Sequence, residues 1–225
     1  MTVTGEINAL QCAPSASTST KSDIARQLPP RKRSNAASGR AREHLKPEEV
    51  DKLLAAARTT RNPVRDEAML LLAFRHGLRV SELVALHWHQ VHLQDRLLDV
   101  VRVKSGTPSV HPLEPDEIKL LKALRQESGG KGPVFVSERQ TPITDSSVKK
   151  LVAKLGRVAG FGFPVHVHML RHACGYAKIN SGWDVRHLQA WMGHRNIQHT
   201  AHYAALREDQ FSDYFDAKGR ARRHK

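Results

Sequence analysis

The chain has 225 residues, with 36 Lys or Arg against 22 Asp or Glu, so its formal net charge is +14 and its pI is about 10.2. A charge this positive favours a polyanionic partner, most commonly nucleic acid. Two cysteines, Cys12 and Cys174, exclude a disulfide framework and favour a reducing compartment. The longest apolar run, residues 68–74, is too short to cross a membrane, and we expect no secretory signal in the first twenty residues.

The two ends of the chain differ in composition from its middle. Residues 12–22 are mostly Ser, Thr, Ala and Pro, and a basic run follows at 29–33. Such a composition cannot bury a core, so we predict a flexible basic N-terminal arm over residues 1–44, solvated and able to lie along a phosphate backbone. Residues 216–225 form a basic C-terminal tail, which leaves residues 45–215 as the folded domain.

Three helices are predicted at the start of this domain. A proline and two acidic residues at 47–49 suit a first helical turn, and apolar residues follow at helical spacing. A second helix, residues 63–76, is apolar through its middle, which predicts a buried helix ending at Gly77. Residues 81–82 begin a third helix.

The middle of the chain changes to strand-like spacing. Apolar and β-branched residues at 98–103, turn residues at 105–108, and then Val110 and Leu113 predict an antiparallel hairpin at the edge of a small sheet. Residues 134–136 predict a third short strand.

The remainder of the domain is predicted to be mostly helical. One apolar face predicts a helix over residues 116–125, and an amphipathic pattern with a basic polar side predicts another over residues 146–158. From His168 the pattern is helical, with breaks at Gly182 and Gly193. The predicted fold class is therefore mainly α with a small antiparallel β-sheet (α+β).

Four short clusters of Arg, Lys, His and Tyr stand out in this domain. Taken singly each is weak, because a pair such as Arg79 and Glu82 can be an ordinary helix-surface pair worth a few tenths of a kcal/mol. The clusters are GLRVSEL at 77–83, Lys104 in the hairpin, HMLRH at 168–172, and GHRN at 193–196 with Tyr203 nine residues after His194.

Together the clusters resemble the tyrosine recombinases, the integrase family, whose motifs are GLRxSEL, a hairpin lysine, HxLRH, and LGH followed by a tyrosine nine residues later. Met192 replaces the usual leucine of the last motif. The resemblance covers residues 45–215 and is strongest to the short fimbrial phase-switch recombinases. Most relatives carry a separate DNA-gripping helical domain first, so we expect either that this chain works without one or that residues 1–44 partly replace it; a truncated remnant stays an alternative.

The resemblance implies the catalytic-domain fold of tyrosine recombinases and a site-specific DNA recombinase. Such an enzyme cleaves and rejoins DNA through a 3′-phosphotyrosine, giving inversion, excision or integration, with no cofactor and no metal. The implied partners are double-stranded DNA recombination sites, further copies of the chain in a homotetramer on DNA (monomer or dimer when free), and DNA-bending accessory proteins. The expected location is the bacterial cytoplasm, on the nucleoid.

The residue chemistry supports a phosphate site. Cleaving a phosphodiester without a metal requires cations at the non-bridging oxygens, and the planar arginine fork suits this. Arg79 and Arg171 are predicted to form that clamp. His168 lies three residues before Arg171, so the two share a helix face. His194 follows a glycine and is predicted to point inward from a helix start as a third donor.

Tyr203 is the predicted nucleophile. A phenol with an ordinary pKa of about 10 is protonated at neutral pH and needs a base and a cationic pocket. The resemblance suggests His168 as the base, and Lys104 suits the general acid that protonates the leaving 5′-oxygen. Of the rival tyrosines, Tyr176 is predicted in the core or at an interface, and Tyr214 is predicted as an apolar anchor on a C-terminal helix.

Some alternatives stay open at this point. A metal site is one alternative, because His168 and His172 lie four residues apart and His199 and His202 lie three residues apart. The absence of an HExxH motif and the isolated cysteines weigh against it. The predicted C-terminal helix at 207–216 docks either on a neighbouring protomer or on its own domain. Two other functions are a topoisomerase-like nicking and closing enzyme and a non-cutting DNA-binding regulator.

Overall fold

A computed structural model describes residues 42–103 and 106–204, which lie within the compact unit Ala41–Lys225. None of the helices in this part of the chain is both long and apolar enough to cross a membrane. The predicted arm up to residue 41, Lys104, and the predicted helix and tail beyond residue 206 lie outside the described residues. The elements are α1 (Pro47–Ala57), α2 (Pro63–Arg75), α3 (Val80–Val84), a 3₁₀ turn (Trp88–Gln90), β1 (Val91–His92), β2 (Leu97–Val100), β3 (Ser109–Pro112), α4 (Pro115–Ser128), α5 (Asp145–Val158), α6 (Val167–Asn180), α7 (Val185–Met192) and α8 (Gln198–Ala204).

Local signals at the helix ends act as the sequence predicts. Pro47 begins α1, and the backbone N–H of Lys46 donates to Glu49 Oε2 at 2.8 Å, which satisfies a donor ahead of the first turn. Gly193 ends α7 in the left-handed conformation with φ of 63°, which glycine adopts without steric cost. The predicted helices between residues 47 and 204 are confirmed, although α4 extends further than predicted, to Ser128.

The sheet is antiparallel with the order β1-β2-β3, and Leu98 pairs with both Val91 and His111. The predicted hairpin is confirmed as β2 and β3. The predicted third strand at 134–136 is wrong, because β1 takes that place. Isolated bridges join His87 to Pro133 and Val136 to Pro142, and because proline lacks the N–H that a ladder needs, neither bridge extends into a strand.

The core is built around α2, which packs against α1, α4 and α6. Nearly every residue in the middle of α2 is buried, as its apolar composition predicts. A second, smaller cluster joins α6, α7 and α8 and contains Cys174, Tyr176, Ile179, Leu188, Met192 and Tyr203. This second cluster holds α8, the helix that carries Tyr203, against α6. The fold class predicted from the sequence is confirmed.

Residues 42–44, which the sequence places at the end of the arm, contact the folded domain. Glu43 Oε2 lies 3.5 Å from His202 Nε2 on α8, and the His44 ring lies 3.9 Å from the Tyr176 ring on α6. These described residues therefore pack against the helices of the domain.

Candidate active site

One cavity of about 370 Å³ gathers most of the residues that the sequence singles out. It lies where the start of α3, the start of α6, the α7–α8 link and α8 meet. Lys104 lies outside the described residues, but Gly106 of the same hairpin lines the cavity. The predicted site residues that line it are Arg79, His168, Arg171, His194 and Tyr203.

A buried carboxylate, Glu82, organises the arginines beside this cavity. Glu82 accepts from the Arg79 backbone N–H at 2.9 Å, from Arg79 Nη1 at 2.6 Å and from Arg102 Nη1 at 2.9 Å. Burial alone would raise the pKa of Glu82, but the backbone hydrogen bond and the charge of Arg102 outweigh burial and lower it. Glu82 is therefore an ionised anchor and not the surface partner that its spacing from Arg79 suggests.

We expect Glu82→Gln to lower the free energy of unfolding by about 3 to 5 kcal/mol, because breaking a buried ion pair leaves the guanidinium of Arg102 without its counter-charge. Urea unfolding followed by circular dichroism measures this. The matched control is Glu67→Gln, whose pair with the exposed Arg58 should contribute less than about 1 kcal/mol. Equal losses in the two variants would contradict the anchoring role of Glu82.

Arg102 is not among the residues predicted for the site, but its buried side chain connects segments that are distant in sequence. A Cβ atom added at Gly106 or at Gly193 would lie 2.6 Å from its side chain, so both glycines are needed for this close approach. Besides Glu82, Arg102 donates to the backbone carbonyls of His76, Gly77 and Trp191. Its guanidinium therefore connects the hairpin to the α2–α3 link and to the end of α7.

Arg171 reaches the cavity from α6 and is almost fully buried. Its guanidinium donates to the carbonyl of Gly77 and, at 2.8 Å, to the carbonyl of Met192. Burial, followed by the charges of Arg79 and Arg102, lowers the pKa of Arg171 to about 10, so it stays protonated at neutral pH. The same side chain thus supplies a fixed positive charge and holds two of the predicted motifs together.

His194 differs from its predicted placement and role. It lies in the link after α7, not at a helix start. Its Nε2 is 2.9 Å from Arg171 Nη2, and because a guanidinium only donates, Nε2 accepts and Nδ1–H donates to Thr200 Oγ1 at 3.0 Å. Burial and then the charges of Arg171 and Arg79 lower the pKa of His194 to about 3. In this arrangement neutral His194 orients Arg171, and its Nε2 is not a donor to phosphate.

Tyr203 sits at the inner side of the cavity and is 3% exposed. Its ring lies against Gly175 on α6, where a Cβ atom would come within 2.7 Å of Tyr203 Cε1. Its hydroxyl lies 3.0 Å from His172 Nδ1. Burial raises the pKa of Tyr203, even though the charge of Arg171 acts to lower it. The phenol is therefore protonated in the absence of substrate.

The two histidines of the HMLRH motif take different positions. His168 lines the cavity and is exposed to solvent. Partial burial of its imidazole, followed by the charge of Arg171, lowers the pKa of His168. Its ring meets the ring of His172 edge-on, with centroids 4.5 Å apart. The nearest hydrogen-bond partner of the Tyr203 hydroxyl is thus His172, which the sequence analysis considers only as a metal ligand.

The described residues support neither a metal site nor Tyr176 as the nucleophile. Within residues 42–103 and 106–204, no three His, Cys, Asp or Glu side chains are grouped so as to hold a metal ion. Tyr176 is buried in the second core cluster, and its hydroxyl lies 3.2 Å from His202 Nε2, away from the cavity lining. Tyr214 lies outside the described residues.

Comparison with known proteins agrees with this geometry. The family model described as "Phage integrase family" matches residues 43–210. The type 1 fimbriae regulatory protein FimE of Escherichia coli K12 is 35% identical over 181 residues, which cover 78% of this chain and 91% of FimE. The chain belongs to the phage integrase family. The predicted resemblance to tyrosine recombinases, and to their short fimbrial members, is confirmed.

Solved structures give the same fold for this integrase-family chain. The crystal structure of XerA recombinase matches with a TM-score of 0.68 and 24% identity, over 80% of this chain and 66% of that one. XerH site-specific recombinase bound to its difH substrate matches with a TM-score of 0.66 and 19% identity, over 76% of this chain and 53% of that one. The chain therefore spans about two thirds of the first and about half of the second.

Proposed function

We propose that this chain is a site-specific DNA recombinase that cleaves and rejoins double-stranded DNA through a 3′-phosphotyrosine. The observation that carries the proposal is the convergence of two arginines and Tyr203 on one cavity in a member of the phage integrase family. The net charge of +14 supports a DNA partner, because neutralising backbone phosphates drives sequence-independent affinity.

The charges at the cavity are those of a phosphate-binding site. Arg79 is partly exposed and Arg171 is held by backbone carbonyls, so both guanidinium charges are fixed before substrate arrives. Within residues 42–103 and 106–204, the one carboxylate in contact with both is Glu82, which is buried and not among the residues that line the cavity. An entering phosphodiester therefore meets cations, and charge that develops on its non-bridging oxygens is stabilised without reorganisation.

In the proposed reaction, Tyr203 Oη attacks the phosphorus and the bond from phosphorus to the 5′-oxygen breaks. The leaving 5′-oxygen takes a proton from a general acid, for which we propose Lys104. Because the phosphotyrosyl bond replaces one phosphodiester with another, religation to a new strand needs no ATP.

The partners follow from the proposed reaction. Exchange of strands between two recombination sites requires four active sites, so we propose a homotetramer on DNA, assembled from monomers or dimers and assisted by DNA-bending proteins. A recombinase of chromosomal DNA works in the bacterial cytoplasm on the nucleoid, which is where we place this chain.

The test uses supercoiled plasmids that carry two copies, one copy or no copy of DNA repeats from beside its own gene, incubated with EDTA and without ATP. We expect inversion or deletion products from the two-copy plasmids alone. Relaxation of every plasmid would identify a topoisomerase-like enzyme instead, and tight binding without strand breakage would identify a DNA-binding regulator.

A further inference from the structure

Tyr203 and His172 form a hydrogen-bonded pair at the cavity. The Tyr203 hydroxyl makes no hydrogen bond other than the one to His172 Nδ1 within the described part of the chain. His172 is half-buried, and burial, followed by the charges of His168, His202 and Arg171, lowers its pKa to about 3. In the neutral tautomer that carries its proton on Nε2, His172 presents Nδ1 as an acceptor, and the phenol O–H then donates to it.

The helices hold this pair in place. His172 and Gly175 lie three residues apart on α6, and the Tyr203 ring rests on Gly175 while its hydroxyl reaches one turn back to His172. The Tyr176 ring packs edge-on against the Tyr203 ring, with centroids 5.0 Å apart. His168 and His172 both line the cavity, but the Tyr203 hydroxyl is bonded to His172, whereas His168 contacts the ring of His172. His168 is therefore better placed to contact a phosphate than to contact Tyr203.

We propose that His172 is the general base that takes the hydroxyl proton of Tyr203 as Oη attacks the scissile phosphodiester. The inference rests on the proposed function and deepens it by assigning a catalytic residue. As the bond from Oη to phosphorus forms, the proton moves from Oη to His172 Nδ1; the bond to the 5′-oxygen breaks, and that oxygen takes its proton from the general acid. Religation reverses both transfers.

The substrate itself makes this base effective. In the free protein, burial and then the cationic surroundings of His172 lower its pKa and disfavour the imidazolium, while burial raises the pKa of Tyr203 and keeps the phenol protonated. A phosphodiester seated between Arg79 and Arg171 brings a negative charge into the same cavity, and an opposite charge nearby favours the protonated imidazole. The nucleophile is thus activated only when DNA is in place.

The first arm of the test replaces His172. The probe is a nicked duplex carrying a repeat from beside the gene, from which the short cleaved strand escapes so that the covalent adduct accumulates. His172→Asn keeps a hydrogen-bond acceptor but no base, and we expect its single-turnover rate of adduct formation to fall by about 10²-fold or more, with unchanged DNA affinity. The control, His187→Asn, changes an exposed histidine on α7 that does not line the cavity, and should cleave at nearly the wild-type rate.

The second arm separates a proton acceptor from a structural role. In the His172→Asn background, a fluorinated tyrosine at position 203 has a more acidic phenol. We expect it to raise the single-turnover rate of adduct formation at least tenfold above that of His172→Asn alone. A 5′-bridging phosphorothiolate in the probe, whose leaving thiolate needs no proton, should rescue Lys104→Ala but not His172→Asn. Thermal unfolding shows whether each variant is folded, and His172→Gln serves if His172→Asn is not.

Each outcome decides between the claims. Wild-type cleavage by His172→Asn, or a fluorinated tyrosine that leaves its deficiency unchanged, would overturn the role of His172 while leaving the recombinase standing. No adduct from the wild-type protein with any repeat would overturn the proposed function, and this inference with it.

Discussion

Tyr203→Phe should abolish the covalent protein–DNA adduct completely, because no other group replaces the lost phenolic oxygen as nucleophile. The hydroxyl makes one hydrogen bond in the described part of the chain, to His172, and the ring packs in a small apolar cluster that phenylalanine fills equally well. The fold and the DNA affinity should therefore be nearly unchanged. Denaturing gels measure the adduct, and gel-shift titration at fixed salt measures the affinity.

The matched control is Tyr176→Phe, which removes a hydroxyl from the same cluster but one that bonds His202 outside the cavity lining. That variant should still form the adduct. Covalent capture that survives in Tyr203→Phe would remove Tyr203 from the reaction and redirect attention to the other tyrosines.

Arg171→Ala should slow cleavage by several orders of magnitude. A preorganised donor at a developing oxyanion typically contributes on the order of 3 kcal/mol, and this substitution also removes the Arg171 hydrogen bonds to the carbonyls of Gly77 and Met192. Arg171→Lys keeps the charge but loses the planar fork, so we expect an intermediate rate, still at least about tenfold below wild type. Single-turnover adduct formation measures both rates.

Arg58→Lys is the control for this pair of variants, because Arg58 forms only an exposed ion pair with Glu67. It should cleave at the wild-type rate. If Arg171→Ala also cleaved at that rate while remaining folded, Arg171 would have no part in the phosphate site.

The elements of the fold could be predicted where local chemistry determines them. Prolines, acidic first turns and glycine ends mark the helices, and the glycine at 193 ends α7 as its position indicates. The strand predicted at 134–136 failed because apolar β-branched residues show burial but not pairing, and the neighbouring prolines restrict that segment to isolated bridges.

The motifs predicted most of the residues that the structure brings to one cavity, but not the contacts between them. The spacing of Arg79 and Glu82 predicts a surface pair, whereas packing of the hairpin against the α2–α3 link buries Glu82 and adds Arg102 to it. The link between α7 and α8 turns His194 Nε2 toward Arg171. These contacts join segments from 20 to more than 90 residues apart, and helical or strand periodicity in the sequence does not report such distances.

His172 could have been found from spacing. It follows Arg171 directly and lies four residues after His168, so it shares a face of α6 with His168. What the sequence could not show is that α8 returns to that face and sets the Tyr203 hydroxyl 3.0 Å from His172 Nδ1.

The most direct test of the central claim is to trap the intermediate and map it. Wild-type protein is incubated with nicked duplexes from beside its gene, with EDTA and without ATP, and the adduct is digested and sequenced by mass spectrometry. The expected result is a DNA 3′-phosphate linked to the peptide that contains Tyr203. A covalent link at any other residue, or tight DNA binding with no adduct on any duplex, would contradict the account.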